Sequence, residues 1–372
     1  MRRLFIILGS ILLLALSACE SGNCGSVAYR SPDRLFPSVS LTPVSDARRE
    51  PVSEGVIEEL RQEFERFESA PSIVQLGIAT RGPSGSWESG SSDAQRYYWA
   101  SVGKLATSIL TLQLVQEGLL TLDDRLQTWY PDLPRAGEIT IEMLLSHRSG
   151  LPSHNEFEEF RNRTTAGTTE DVVRFLREQP LLFCPGTNWY YSNSGYMILG
   201  RILERVTGVS YARLIEQRIA LVLNTPSLQA LAAGDRPSDV APIAPLSDEA
   251  SFAPGDPFAA GNLVATPRDM LEFLSGALDG RLLAASSVED ATRLLYPMFD
   301  QNLYYGLGVM IYDTPEGLWL GHSGGVSGAH AVVAYVPSQD TFITVALTGQ
   351  GSPESIARAL LNKLSKSTGA SR

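Results

Sequence analysis

Of the three lysines in this 372-residue chain, only Lys104 has a serine three residues before it, Ser101, in the stretch Tyr-Tyr-Trp-Ala-Ser-Val-Gly-Lys over 97–104. With 27 arginines available, a merely solvated positive charge did not require lysine. Arginine keeps its proton in a protein, whereas a desolvated lysine gives one up. A lysine one helical turn from a serine is therefore a candidate activator of a nucleophile. Taken alone, the pair reads more readily as a helix-capping serine with a solvated lysine. A second group is Tyr191-Ser192-Asn193, in a turn just before a helix. A phenol near the Lys104 cation is expected to have a lowered pKa and to take a proton from the serine, and an amide beside it orients a substrate amide. A third is Gly321-His322-Ser323-Gly324-Gly325, at the end of an expected strand. A glycine-rich strand edge lets a substrate backbone approach and offers it N–H groups.

The elements that must position these groups follow from periodicity. Val56, Ile57, Leu60, Phe64 and Phe67 recur at helical spacing; a strand follows over 73–80 and a short one near Trp87. Residues 101–118 form the clearest helix, with Leu105, Ile109, Leu112 and Val115 along one face and Gly118 to stop it. Short helices are expected over 139–146, opened by Thr140, and over 194–207, closed by Gly208. Pro237 to Pro257 is too proline-rich for a regular helix and is expected to form a wall or lid beside a pocket. Strands over 304–312, 318–322, 329–336 and 342–348 suggest an antiparallel meander, and a helix over 356–364 ends it. The early and late strands are expected to share one sheet, with the helical middle inserted. This is an α/β part over 53–100 and about 265–372, plus an all-α part over about 101–264.

The three groups in this order resemble the serine β-lactamase and penicillin-binding-protein superfamily. Within it, the likeness is to the branch of class C β-lactamases, D-alanyl-D-alanine carboxypeptidases and family VIII esterases. Supporting stretches agree: 145–152 resembles the family's LLTHTSGLP, and 118–124 its GKLSLDD turn. Likewise 261–270 resembles GGLVSTARDL, and Tyr305-Gly306-Leu307-Gly308 resembles its YGLGW strand. The resemblance covers residues 53–372 and implies a β-lactamase/transpeptidase-like fold, an antiparallel sheet flanked by helices with an inserted helical domain. It implies that Ser101 is the nucleophile of an acyl-enzyme, with Lys104 and Tyr191 sharing its proton. It implies that Asn193 holds the substrate amide or the Lys104 ammonium. His322, Ser323, Gly324 and Gly325 would line the substrate, with the N–H groups of Ser101 and Gly325 as the oxyanion hole.

The implied substrate is a small molecule or a peptidoglycan peptide: a D-amino-acid peptide, an ester or a β-lactam, in the order carboxypeptidase or other amidase, esterase, β-lactamase. His322 stands where many β-lactamases have lysine, and a neutral imidazole binds a substrate carboxylate less strongly than an ammonium does. The alternative is a non-catalytic module that binds peptidoglycan or a protein partner. No cofactor is implied, and the four histidines show no metal-ligand spacing.

A formal net charge of −11 with no basic stripe argues against nucleic acid as a partner. The N-terminus is read as a targeting segment. Arg2 and Arg3 precede an apolar run over 4–16 that is short for a membrane span and fits the core of a signal peptide over 1–18. Leu16-Ser17-Ala18-Cys19 resembles a bacterial lipobox, which makes Cys19 a lipid anchor to a membrane and 19–52 a Ser-, Pro- and Gly-containing tether. An ordinary signal peptide with an incidental cysteine is the other reading. Export permits a disulfide between Cys24 and Cys184, and two unrelated thiols fit as well.

Overall fold

The computed structural model describes residues 51–90, 94–161, 167–244, 253–298 and 302–367. The expected signal peptide, Cys19, Cys24 and most of the expected tether lie outside these residues. The tether's last two residues are docked on the fold: Val52 is buried, its amide donates to the Ser86 carbonyl at 3.1 Å, and Pro51 bridges the same residue. No helix among the described residues is long and apolar enough to cross a membrane.

The chain enters through helix α1 (Glu54–Glu68) and a hairpin of β1 (Ile73–Gly82) and β2 (Gly85–Gly90). Strand β3 (Tyr97–Tyr98) leads into helix α2 (Gly103–Gln116). Helices α3 (Ile141–Leu145), α4 (Thr169–Arg177) and α5 (Asn193–Thr207) follow, then the short strands β4 (Gln229–Ala230) and β5 (Leu263–Ala265). Helices α6 (Pro267–Leu278) and α7 (Ala285–Arg293) lead back to the sheet. Its remaining strands are β6 (Tyr296–Pro297), β7 (Leu303–Tyr305), β8 (Met310–Thr314), β9 (Gly317–Val326), β10 (Ala329–Val336) and β11 (Thr341–Gly349). Helix α8 (Pro353–Ser367) is the last.

The main sheet is antiparallel in the order β2-β1-β11-β10-β9-β8-β7-β6, so the first strands of the chain pair with its last. All nine residues of β11 are buried, as expected of a central strand covered on both faces. Leu60 and Phe64 of α1 and Leu360, Leu361 and Leu364 of α8 cover one face. Helix α6 packs on the other, with α2 and α5 in the same apolar cluster. Side-chain caps mark where helices begin. Thr140 Oγ accepts from the Met143 amide at 3.1 Å, and Thr168 and Asp171 form a reciprocal capping box. Helix α2 ends in paired bonds from the amides of Gly118 and Leu119 to the carbonyls of Val115 and Leu114, a Schellman stop.

Three expectations need correction. Residues 304–312 are not one strand but the hairpin β7–β8, with Tyr305 opposite Met310, because Gly306 to Val309 turn the chain back. Strand β9 does not stop at His322; it continues to Val326, because β10 pairs with it as far as Val326 opposite Ala329. Helix α2 has no single apolar stripe: every residue from Gly103 to Leu112 is buried, since it lies at the centre of the molecule. The Pro237–Pro257 wall is described only over 237–244 and 253–257; in the first of these Val240 bridges Arg96.

Candidate active site

Strand β3 and its partner β5 deliver the nucleophile. The Trp99 amide donates to Leu263 O and its indole N–H to Ala265 O, both at 3.0 Å, which pins the residue two before Ser101. Ala100 then adopts φ +47°, a left-handed conformation that costs a non-glycine residue on the order of 1–3 kcal/mol. A 3-10 turn over Ala100–Val102 leads into α2. This sharp bend leaves Ser101 half-buried while Trp99 and Val102 are buried. Backbone crowds the bend. A Cβ on Gly324 would lie 2.4 Å from Trp99 O and 2.7 Å from the Ser101 nitrogen. One on Gly261 would lie 2.7 Å from Ala100 O. Glycine at both places lets β9 and the chain before β5 close on the nucleophile, and it sets the 324–325 backbone alongside the Ser101 amide.

Lys104 is 0% exposed. Its Nζ lies 3.1 Å from Ser101 Oγ, 2.7 Å from Asn193 Oδ1 and 2.6 Å from Ala260 O. Among the described residues no carboxylate pairs with it, and burial drives its pKa well below the ordinary lysine value. Asn193 is oriented by its other bonds: Nδ2 donates to Asn155 Oδ1 at 2.9 Å and the backbone amide to Ser153 Oγ at 2.9 Å. Its oxygen therefore faces the lysine.

The Tyr191 ring centroid is 4.8 Å from Lys104 Nζ, and its hydroxyl is near enough to Ser101 to feel that side chain. Its pKa lies above the ordinary value, not below it as the sequence suggested. Burial outweighs the Ser101 bond that pulls it down, and the lysine, itself favoured as a neutral amine, contributes no lowering. Tyr191 is a phenol at neutral pH.

His322 is 0% exposed and has both ring nitrogens engaged. Nδ1 faces its neighbour's carbonyl, Ser323 O, and must carry the hydrogen; Nε2 then accepts from Tyr305 OH at 3.1 Å. Burial is the largest cause that pushes its pKa down, to about 3. His322 is thus a buried neutral imidazole beneath the site rather than a cation facing a substrate. Ser323 turns its hydroxyl toward Tyr312 and Met310 Sδ, while Gly325 is exposed at the strand edge.

The structure brings Ser101, Lys104 and Asn193 into one hydrogen-bonded group, with the Tyr191 ring beside Lys104 and the Gly324 backbone against Ser101. Sequence reasoning missed the supports. His147 is buried; its Nδ1 accepts from the Ser192 amide at 3.1 Å, and its ring lies 4.2 Å from that of Tyr191 and 4.6 Å from that of Tyr305. It carried a signal, since it lies within the family-like stretch 145–152, as Tyr305 lies within 305–308. Asn155 and the Ala260 carbonyl carried none. Cys184, in the loop before Tyr191, is disulfide-bonded, and Arg135 donates to its sulfur at 3.4 Å. A separate cavity of about 350 Å³, lined by Trp129, Tyr130, Val173 and Arg205 among others, includes none of the site residues.

With this geometry in place, comparison with known proteins is decisive for the class. The beta-lactamase family model matches residues 85–366, and the chain belongs to that family. Among curated relatives, a penicillin-binding protein of Bacillus subtilis is 27% identical over 271 residues, which are 66% of this chain and 59% of that protein. The lovastatin esterase of Penicillium rubens is 35% identical over 146 residues, 33% of this chain and 36% of that one. The chain thus spans little more than half, or about a third, of these relatives' lengths. The crystal structure of D-amino acid amidase from Ochrobactrum anthropi SV3 with L-phenylalanine aligns with a TM-score of 0.75 at 22% identity, covering 85% of this chain and 100% of that one. That likeness establishes the shared fold: an antiparallel sheet flanked by helices.

Proposed function

We propose that the protein is a serine hydrolase that works through an acyl-enzyme on Ser101. The observation that supports this most is the environment of Lys104: buried, with no carboxylate partner among the described residues, and in contact with Ser101 Oγ. Two of its partners, Asn193 Oδ1 and Ala260 O, can only accept hydrogen bonds, so a neutral amine donates to both. Its lone pair then faces the third partner, the Ser101 hydroxyl. Lys104 is the base of this reading.

In acylation, Ser101 passes its proton to Lys104 as Oγ attacks the acyl carbon. The developing oxyanion is received by the amides of Ser101 and Gly325. In this reading Tyr191, a phenol, passes its proton to the leaving group as the acyl bond breaks, and the Lys104 ammonium resupplies it. In deacylation, water gives a proton to the same pair and attacks the ester carbon, and Ser101 Oγ leaves with a proton. A D-amino-acid peptide or amide ranks first as acyl donor, then an ester, then a β-lactam. We further propose export and lipid anchoring at Cys19, tested by fatty-acid labelling that Cys19→Ala abolishes.

The test of the hydrolase reading is an intact mass spectrum after incubation with a penicillin or a p-nitrophenyl ester, with Ser101→Ala alongside. A mass increment or turnover by wild type alone supports the reading. Binding without adduct or turnover in both proteins replaces it with a non-catalytic module.

A further inference from the structure

Helix α3 ends in a turn that glycine would ordinarily make. The Arg148 amide donates to Met143 O at 2.8 Å and the His147 amide reaches Leu144 O at 3.5 Å, the paired bonds of a Schellman stop. The residue that closes such a stop is left-handed, and here it is His147, at φ +62°. Glycine adopts that conformation freely and asparagine more easily than most, whereas histidine is strained in it. Strain of this kind persists where the surroundings hold the residue for another reason.

That reason lies in what His147 grips. Its carbonyl accepts from the Tyr190 amide at 3.0 Å, and its ring Nδ1 accepts from the Ser192 amide at 3.1 Å. The residues on both sides of Tyr191 are therefore bonded to one histidine. The buried His147 ring also lies 4.2 Å from the Tyr191 ring, tilted by 38°, and backs the phenol. Because Nδ1 is an acceptor, the ring hydrogen sits on Nε2, which is buried with no acceptor among the described residues. An apolar ring would fill the same space without burying an orphan donor, so Nδ1, and not packing, accounts for the imidazole.

We propose that His147 is the positioning residue of Tyr191: through its carbonyl, its Nδ1 and its ring face it fixes the phenol where it donates its proton to the leaving group. This rests on the serine-hydrolase reading above and deepens it. His147 acts through Tyr191, so its contribution must vanish when Tyr191 has no hydroxyl. The contribution must also grow with the basicity of the leaving group, since phenolate needs the proton more than p-nitrophenolate does.

The experiment measures kcat/KM for phenyl acetate and p-nitrophenyl acetate with wild type, His147→Gly, Tyr191→Phe and the double variant, all as the full-length protein. Glycine keeps the turn and the carbonyl and removes only the ring. His147→Gly is expected to lose about a hundredfold on phenyl acetate and no more than about tenfold on p-nitrophenyl acetate. In the Tyr191→Phe background the same substitution is expected to change either rate by less than about twofold. His147→Asn offers the Ser192 amide an acceptor again and tolerates the left-handed turn, so it is expected to recover about tenfold of the loss on phenyl acetate. If circular dichroism shows that the glycine variant does not fold, the asparagine variant takes its place in the cycle. Equal losses on both esters that persist without the Tyr191 hydroxyl, or no loss at all, would overturn the proposal and leave the hydrolase reading standing. Wild type inert to both esters refutes the hydrolase reading, and this proposal with it.

Discussion

A titration of His322 decides whether the third motif presents a cation to a substrate. The perturbation is acid, applied to wild type and to His322→Gln, whose amide oxygen retains an acceptor for Tyr305 OH. In the folded protein His322 has a pKa of about 3 against the ordinary 6.5. The unfolded chain therefore takes up a proton as pH falls through about 6.5, while the folded chain stays neutral. Stability from this group is complete at neutral pH and is lost progressively as pH falls from about 6.5 toward about 3. Each unit in that window costs about 1.4 kcal/mol. His322 thus removes about 2 kcal/mol by about pH 5 and about 3 kcal/mol by about pH 4, with no discount for solvent because the side chain is fully buried.

The assay is urea unfolding followed by tryptophan fluorescence at a series of pH values, reading the stability of wild type minus that of the variant. His147 and the carboxylates titrate in both proteins and cancel. The difference is expected to fall by about 3 kcal/mol between about pH 7 and about pH 4. A flat difference curve would refute the reasoning: it would mean that His322 is as readily protonated folded as unfolded, and it would reinstate the imidazolium as a site for a substrate carboxylate.

Lys104→Met should abolish turnover, by about three orders of magnitude or more, without lowering the urea midpoint, because it removes a buried amine that has no counter-ion; a fall in both stability and activity would make the lysine structural. In wild type, kcat/KM should rise with pH as Lys104 loses its proton, with the acid limb below the ordinary lysine range, and this limb should be absent from any residual activity of Lys104→Met. Gly324→Ala places a methyl 2.4 Å from Trp99 O and 2.7 Å from the Ser101 amide, so kcat should drop by about a hundredfold with circular dichroism unchanged; full activity would dissociate β9 from the oxyanion site. Glu272→Met removes the carboxylate that pairs with the buried Arg81 and with Arg281, and should cost about 3 kcal/mol in urea unfolding without altering kcat.

The fold was legible where local pattern and tertiary context agree. Residues 329–336 and 342–348 read as strands, and β10 and β11 lie there, because β-branched runs punctuated by turn residues mean the same thing in and out of the fold. Residues 304–312 read as one strand because the alternation of β7 and β8 continues across their turn. The single apolar face assigned to α2 was an under-reading, since a helix at the centre of a molecule is buried on all sides whatever its period.

The site divides along a different line. The scarcity of lysine singled out Lys104, and Tyr191 and Asn193 followed from order along the chain; the structure brings all three to Ser101. What spacing did not transmit was protonation. Tyr191 near Lys104 reads as an acidified phenol if the lysine is a cation, yet both groups are desolvated, and burial moves a phenol up and an amine down. The inversion has a mechanistic consequence. An ammonium–phenolate pair needs charge separation in a dry pocket before substrate arrives, whereas an amine–phenol pair rests neutral and separates charge only as the serine attacks, when the oxyanion beside the Ser101 amide balances the new ammonium. The neutral histidines fit the same logic. His147 and His322 stand near Lys104 as buried, uncharged groups, and burial is what lowers the lysine pKa. A carboxylate in either place would hold Lys104 as an ammonium and take away its capacity to accept the proton of Ser101.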